Sequence, residues 1–175
     1  MITTDSDEIA QRARLLRDQA KVEGVNRHDI VGYNWRMSEL PAILGLTQLA
    51  RLDTFIEERR RVARIYDRAF RDAPACLRPL RIPAGAESNY YKYVIHCECD
   101  VESVGRTLFA EYRVRLGGTV YDVPCHQQPV FAGLTRGPLP RAEHLCRHHV
   151  CPPIYPSLTD DEARYVADSL IEVVS

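Results

Sequence analysis

The segment from 40 to 49 most constrains what this chain can fold into, because its apolar residues surround a helix instead of lining one side of it. Ser38, Glu39 and Pro41 form a typical helix start, with a capping hydroxyl, an early acid and a first-turn proline. Apolar side chains then follow on nearly every face: Leu40, Ala42, Ile43, Leu44, Leu46 and Leu49. Such a helix needs cover on several sides. In a small domain we expect that cover to come from a partner chain or from another domain.

Beyond residue 51 the apolar pattern becomes one-sided, so we predict that the same helix continues to about Ala73 and ends before Pro74. Two glutamates and three arginines stand together at 57–61. A solvated helix face is the favoured interpretation of that run, and a nucleic-acid patch is the less favoured one.

The rest of the sequence predicts short helices and strands in an α+β domain. Helices are predicted from about 7 to 21–24, from 100 to 112, from 140 to 149 and from Thr159 to the end, and strands at 90–97, 114–116, 119–121 and 150–154. A small, mainly antiparallel sheet would pack helices on one face. The predicted divisions are residues 1–37 (helix and loop), 38–73 (long helix) and 74–175 (small α+β domain).

Composition excludes some classes of function. The chain has 23 basic and 24 acidic side chains and a net charge of −1, which gives no general attraction to nucleic acid or to an anionic membrane. It contains no apolar run of about 18 residues, the length that a membrane helix needs. The acidic, polar N-terminus does not resemble a signal peptide, so a cytoplasmic location is expected. For the six cysteines, free and mostly buried thiols are the favoured prediction.

Two segments carry candidate binding residues. Asn34 and Arg36 lie in a loop just before a helix start, where an amide, a guanidinium and backbone N–H groups can form an anion site. From the residues alone, an asparagine turn with an arginine salt bridge is favoured. Tyr121 and His126 lie near the end of a predicted strand, where the histidine can bind substrate or act as a general base. A histidine that is only hydrogen-bonded at the surface is the common alternative.

Histidines and cysteines also cluster at 96–99 and at 144–151. The Cys97–Cys99 spacing is not the usual C-x₂₋₄-C of zinc sites, and Cys146 and Cys151 straddle a predicted helix end. We therefore predict no metal site, and a zinc-binding module stays open as an alternative. Phosphate-binding glycine loops, H-E-x-x-H and G-x-S-x-G are absent from the sequence.

The motifs, in this order, resemble those of the DegT/DnrJ/EryC1/StrS aminotransferases. The resemblance runs along the whole chain and rests on G-Y-N-W-R-M-S-E at 32–39, A-I-L-G-L-T-Q-L at 42–49, S-N-Y-Y-K-Y at 88–93, V-Y-D-V-P-C-H-Q-Q-P at 120–129 and P-I-Y-P-S-L-T at 153–159. Members are fold-type I enzymes that use pyridoxal phosphate to aminate keto groups on nucleotide-linked sugars and cyclitols. The resemblance implies that this chain is the small C-terminal domain with a long interdomain and interface helix.

The resemblance also implies roles for individual residues and partners. Asn34 would reach the cofactor phosphate of a partner subunit, and Arg36 would lie beside that phosphate or a substrate anion. Tyr121 and His126 would approach the sugar. The implied partner is a second subunit in a homodimer or a chain that carries the large domain, with a nucleotide sugar as substrate of the intact enzyme and neither nucleic acid nor membrane as partner.

The lysine that anchors the cofactor is expected upstream of this chain's first residue. A Schiff base needs a primary amine, and the chain has only Lys21 and Lys92, neither at the family's catalytic position. We therefore assign no catalytic residue and predict a C-terminal part of an aminotransferase that is inactive alone and does not hold pyridoxal phosphate covalently. A non-catalytic pairing or regulatory module and the zinc-binding module are the alternatives.

Overall fold

The computed structural model describes residues 2–22, 24, 27–134 and 137–175 and divides the chain into two compact units, Met1–Arg51 and Leu52–Ser175. The predicted helix at 38–73 is therefore split between the units. It forms helix α2, Glu39–Leu49, helix α3, Leu52–Ala69, and a 3₁₀ turn, Phe70–Asp72. The three-part division predicted from the sequence stays a prediction.

The first unit begins with helix α1, Asp7–Arg17, whose N-terminus is capped by the hydroxyl of Ser6. The helix ends several residues earlier than the sequence predicts, because Gln19 and Ala20 take up left-handed backbone angles, with φ of 62° and 55°. The chain then turns and returns to the end of α1, where the amide of Tyr33 donates to the carbonyl of Leu16. α2 follows this loop.

α2 keeps the apolar surface that the sequence predicts, and this chain does not bury it. Every residue of α2 is described, and none of them is buried. Five of its large side chains are between 55 and 82% exposed: Leu40, Ile43, Leu44, Leu46 and Leu49. Exposed apolar area of this extent is typical of interaction surfaces.

The second unit is an α+β domain, as predicted. After α3 come strands β1, Leu77–Pro79, and β2, Ile95–Cys97, helix α4, Val101–Tyr112, 3₁₀ turns at Cys125–Gln127 and Pro129–Phe131, helix α5, Pro140–Arg147, strand β3, His149–Val150, and helix α6, Asp160–Val174. The strands form one antiparallel sheet in the order β1-β2-β3. A reciprocal capping box between Thr159 and Glu162 fixes the start of α6, as its sequence predicts.

The core of this unit lies between α3, α4, α6 and the inner face of the sheet. α3 and α4 both pack against α6, and Ile95 and Cys97 of β2 are completely buried beneath them. Tyr66 of α3 lies in the centre, and its hydroxyl donates to the carbonyl of Pro153 at 2.6 Å. Burial raises the pKa of Tyr66 far above its ordinary value, so this hydroxyl stays a donor. None of the helices in the described ranges has both the length and the apolar character that a bilayer crossing requires.

The sheet is smaller than the sequence predicts. The aromatic run at 90–94 is not strand, because the side chains of Ser88 and Asn89 accept hydrogen bonds from the amides of Tyr90 and Tyr91 and hold a turn there. The segments 114–116 and 119–121, predicted as strands, are not strand, and Gly117 between them forms one isolated bridge with Cys151. β1, in contrast, lies in a segment for which the sequence analysis predicts neither helix nor strand.

The prediction of a solvated face at 57–61 is wrong for the three arginines. Arg59 donates to the carbonyls of Tyr90, Tyr91 and Ile154. Arg60 and Arg61 are only 30 and 29% exposed, and Arg61 bonds to the carbonyl of Leu158 at 2.6 Å and to the carboxylate of Asp160. Successive helical residues point about 100° apart, so Arg59 and Arg61 attach α3 to two segments, the loop at 90–91 and the start of α6.

Candidate functional site

The first candidate site is the loop before α2, which presents Asn34 and Arg36. Hydrogen bonds from the amides of Tyr33 and Trp35 to the carbonyls of Leu16 and Arg17 fasten this loop to the end of α1, at 2.8 and 2.9 Å. The rings of Tyr33 and Trp35 stack with centroids 4.2 Å apart and planes 3° from parallel. The loop is therefore held in one conformation while its side chains remain exposed.

Gly32 allows the loop to approach α1 so closely. A Cβ atom at this position would lie 2.1 Å from the backbone nitrogen of Ala20 and 2.4 Å from the carbonyl carbon of Gln19. No side chain fits at those distances, and the obstructing atoms are backbone atoms, which cannot turn aside. The glycine at the start of the G-Y-N motif is thus required by packing within this unit.

Asn34 and Arg36 have different surroundings in this loop. The backbone of Asn34 forms an isolated bridge with Asp18, and its side chain is exposed. The guanidinium of Arg36 pairs with the carboxylate of Asp18. The salt bridge favoured from the residues is therefore present, and the side-chain amide of Asn34 is exposed in the same loop.

The second candidate site contains Tyr121 and His126, which lie in the other unit. Tyr121 is 67% exposed. His126 lies in the 3₁₀ turn at Cys125–Gln127, and its Nε2 is 2.8 Å from a carboxylate oxygen of Glu143 on α5. The side chains of His126 and Glu143 are only 13 and 17% exposed, so their contact joins the loop to α5. With Nε2 on the carboxylate, Nδ1 is the remaining ring nitrogen of His126.

The His126–Glu143 contact predicts how stability depends on pH. Hydrogen bonds from His126 and from the amide of Leu139 lower the pKa of Glu143 below its ordinary 4.5. A lowered carboxyl pKa adds stability that is present above about pH 4.5 and is lost as the pH falls through the lowered value. We expect Glu143→Gln to lower Tm at pH 7 by about 2–4 °C, and the difference to shrink in acid.

The measurement is a series of thermal melts of both proteins from neutral pH to below pH 4. Glu111→Gln, at an exposed position near the end of α4, is the control and is expected to leave the acid dependence unchanged. A Glu143→Gln curve that runs parallel to the wild type at every pH would contradict the role given to this carboxylate.

The histidine and cysteine clusters come together only in part. The six cysteines are free thiols of graded burial: Cys97 and Cys151 are buried, Cys76, Cys99 and Cys146 half-buried, and Cys125 exposed. Burial, with a hydrogen bond to Cys99, raises the pKa of Cys76. Among the described residues, the group whose ligand atoms converge is His96, Glu98 and His144, without any cysteine. The spacing of the cysteines does not predict this group, because none of its three ligands is a cysteine.

A shallow surface groove of about 330 Å³ also lies in the second unit, beside Arg60, Arg64 and Tyr90. Arg60 already pairs with Glu57 and Glu87 at 2.9 and 2.8 Å. Its charge is therefore neutralised within the chain.

The fold is that of the small domain of fold-type I aminotransferases. The structure superimposes on DesV of S. venezuelae with a TM-score of 0.85 at 27% identity, over 97% of this chain and 45% of that chain. It matches the aminotransferase TlmJ from Streptoalloteichus hindustanus with a TM-score of 0.83 at 25% identity, over 97% of this chain and 46% of that one.

The chain belongs to the DegT/DnrJ/EryC1/StrS aminotransferase family, whose model matches residues 1–171. It is 31% identical over 154 residues to the dTDP-4-dehydro-2,3,6-trideoxy-D-glucose 4-aminotransferase of Saccharopolyspora spinosa, covering 85% of this chain and 37% of the relative. It is also 31% identical over 156 residues to the GDP-perosamine synthase of Escherichia coli O157:H7, covering 85% of this chain and 39% of the relative. The chain thus spans less than half the length of these relatives.

Proposed function

We propose that this chain supplies the C-terminal part of a pyridoxal-phosphate-dependent aminotransferase that acts on nucleotide-linked keto-sugars or cyclitols. The match of residues 1–171 to the family model carries the proposal. Two relatives of the chain are named for reactions on nucleotide-linked sugars, a dTDP-sugar aminotransferase and a GDP-perosamine synthase. Pyridoxal phosphate accepts the amino group from a donor and passes it to the keto carbon of the sugar.

The positions of the chain's two lysines indicate that another polypeptide supplies the amine that holds the cofactor. Lys92 Nζ donates to the carbonyl of Gly118 at 3.0 Å, and Lys21 lies in the turn after α1, where its backbone bridges to His28. Neither position corresponds to the lysine that holds the cofactor in the family. The chain by itself is therefore inactive, and a polypeptide that carries the large domain supplies the amine.

Asn34 provides the contact that this chain makes with the cofactor. Its exposed amide in the fastened loop donates to the phosphate of a cofactor held by the partner subunit, with Arg36 beside it. Tyr121 and His126 line the sugar side, where exposed Tyr121 contacts the substrate and Glu143 fixes the ring of His126. α2 packs into the subunit interface, which is why its apolar side chains are exposed in a single chain.

The exposure of α2 also favours a second function. A non-catalytic module of this fold could pair with a full-length relative through the same helix and offer Asn34 to the relative's cofactor. The two functions predict different partners: a large-domain chain that lacks this part, or an enzyme that already contains it.

Reconstitution tests the proposed function. We expect the purified chain to show no turnover of a nucleotide-linked keto-sugar with glutamate or glutamine, and no specific adduct on Lys21 or Lys92 after treatment with pyridoxal phosphate and borohydride. Co-expression with a polypeptide that carries the family's large domain is expected to restore turnover and to place the adduct on that partner's lysine. Asn34→Ala is expected to weaken cofactor binding in the restored enzyme by about tenfold, the effect of losing one hydrogen bond to a charged group.

Mass spectrometry of the labelled lysines and assays of turnover together distinguish the C-terminal part of an enzyme from the pairing module. Turnover by the chain alone, or saturable labelling of Lys21 or Lys92, would overturn the assignment of an inactive C-terminal part. Purification with an intact family member, without gain of activity, would favour the pairing module.

A further inference from the structure

We propose that His96, Glu98 and His144 form a binding site for a divalent transition-metal cation of the zinc class, on the side of the sheet away from the core. The site is separate from the residues that the proposed aminotransferase function uses. It lies wholly within the second unit and needs no partner chain.

The fold brings the three side chains together in a simple way. In β2, Ile95 and Cys97 point into the core, so His96 between them points to the opposite face. Glu98, two residues further on, follows His96 on that face. His144 comes from α5, whose C-terminal end leads directly into β3 beside β2.

The distances between the ligand atoms match those of a metal site. The Nε2 atoms of His96 and His144 are 3.2 Å apart, and each lies 3.5 Å from the same oxygen of Glu98. Two ligands that are each about 2.0–2.1 Å from a tetrahedral zinc ion are about 3.3–3.4 Å apart. The three atoms thus already have the separations of one face of such a tetrahedron.

The donor set selects the class of cation. Two imidazole nitrogens and one carboxylate oxygen suit zinc and the neighbouring transition metals, whereas calcium and magnesium prefer oxygen ligands throughout. The cysteines nearby are not part of the convergent group. Of the histidine and cysteine clusters at 96–99 and 144–151, the convergent group therefore includes His96 and His144 and no cysteine.

Two neighbouring side chains modulate the site. Arg78 lies opposite His96 on β1, and its guanidinium is 3.2 Å from the same Glu98 oxygen, so it competes with a cation for that ligand. The ring of His148 stacks on His144 with centroids 4.2 Å apart while its Nδ1 donates to the His144 carbonyl. His148 therefore supports the orientation of His144.

Metal titration of the full chain, expressed without a histidine tag and stripped with chelator, tests the proposal. We expect one-to-one binding of Zn²⁺ against a chromophoric competitor, and intense ligand-field absorption for Co²⁺, as tetrahedral sites give. Glu98→Gln and His144→Ala are each expected to weaken Zn²⁺ binding at least tenfold, since even substitutions behind the ligands cost about 10- to 100-fold. Both residues are substantially exposed, so the variants are expected to fold.

Two further variants make the test specific. Arg78→Ala is expected to tighten Zn²⁺ binding several-fold, because it frees the Glu98 oxygen, and the Cys76→Ser/Cys99→Ser double variant is expected to bind as the wild type does. Zn²⁺ is also expected to raise Tm of the wild type and not of Glu98→Gln. Absence of stoichiometric binding, unchanged affinity in Glu98→Gln, no gain in Arg78→Ala, or loss of binding in the cysteine variant would each overturn the site.

Discussion

The double substitution Leu44→Glu/Leu46→Glu is expected to weaken the proposed subunit association through α2 by at least about 100-fold. Both leucines lie on α2 and are 61 and 69% exposed in the single chain. Burying a leucine side chain contributes about 1.5–3 kcal/mol, so losing two such contacts costs at least about 3 kcal/mol, or a factor of about 100 in Kd. Sedimentation equilibrium over a series of concentrations measures the change directly.

The control shows whether association is weakened by two added negative charges anywhere on the surface or only by charges on α2. Val130 and Leu134 are 79 and 77% exposed in the second unit, outside α2. The double substitution Val130→Glu/Leu134→Glu adds the same charge and is expected to leave association unchanged. If the two double variants behave alike, or if the α2 variant associates as tightly as the wild type, the interface does not use α2.

Gly32→Ala is expected to detach the loop that carries Asn34 from the end of α1. The added Cβ would stand 2.1 Å from the backbone nitrogen of Ala20, and relief requires the loop to move, because Ala20 is itself buried. Overpacking of this kind costs about 1–3 kcal/mol or more. Hydrogen exchange is expected to quicken by about 10- to 100-fold at the amides of Gln19, Tyr33 and Trp35, which the loop's hydrogen bonds protect.

Gly45→Ala is the matched control, since a Cβ at Gly45 meets nothing within 4 Å in this chain. Alanine there is expected to leave loop exchange unchanged and to slow exchange within α2, because it favours the helix by about 1 kcal/mol over glycine. In the restored enzyme Gly32→Ala is expected to reduce cofactor retention as Asn34→Ala does. Unchanged exchange at Tyr33 in Gly32→Ala would show that the loop does not depend on this glycine.

Local patterns predict the parts of the fold that depend on neighbours in sequence. Asp100 accepts hydrogen bonds from the amides of Glu102 and Ser103, and the Thr159–Glu162 box starts α6; both caps lie where the sequence predicts that a helix begins. The apolar character of α2 is likewise visible in the sequence. The end of α1 differs from its predicted position because Gln19 and Ala20 have left-handed backbone angles. A loop twelve or more residues further along the chain maintains those angles.

Contacts between residues far apart in sequence also explain why the predictions for the strands and for the arginines at 59–61 differ from the structure. Aromatic residues at 90–93 have strand propensity, but the turn built by Ser88 and Asn89 and the packing of Tyr93 in the core override it. The arginines at 59–61 look like a solvent-facing run in sequence. The carbonyls to which they donate belong to loops about 30 to 95 residues away, which periodicity does not report.

The sequence by itself determined the family, the α+β class, the candidate residues Asn34, Arg36, Tyr121 and His126, and the need of α2 for a cover. Only the tertiary structure decided which partners these side chains have: Asp18 for Arg36, Glu143 for His126, and the convergence of His96, Glu98 and His144. Motifs and periodicity record which residues are close along the chain. A salt bridge or a metal site is decided by distances of a few ångströms between residues that only folding brings together.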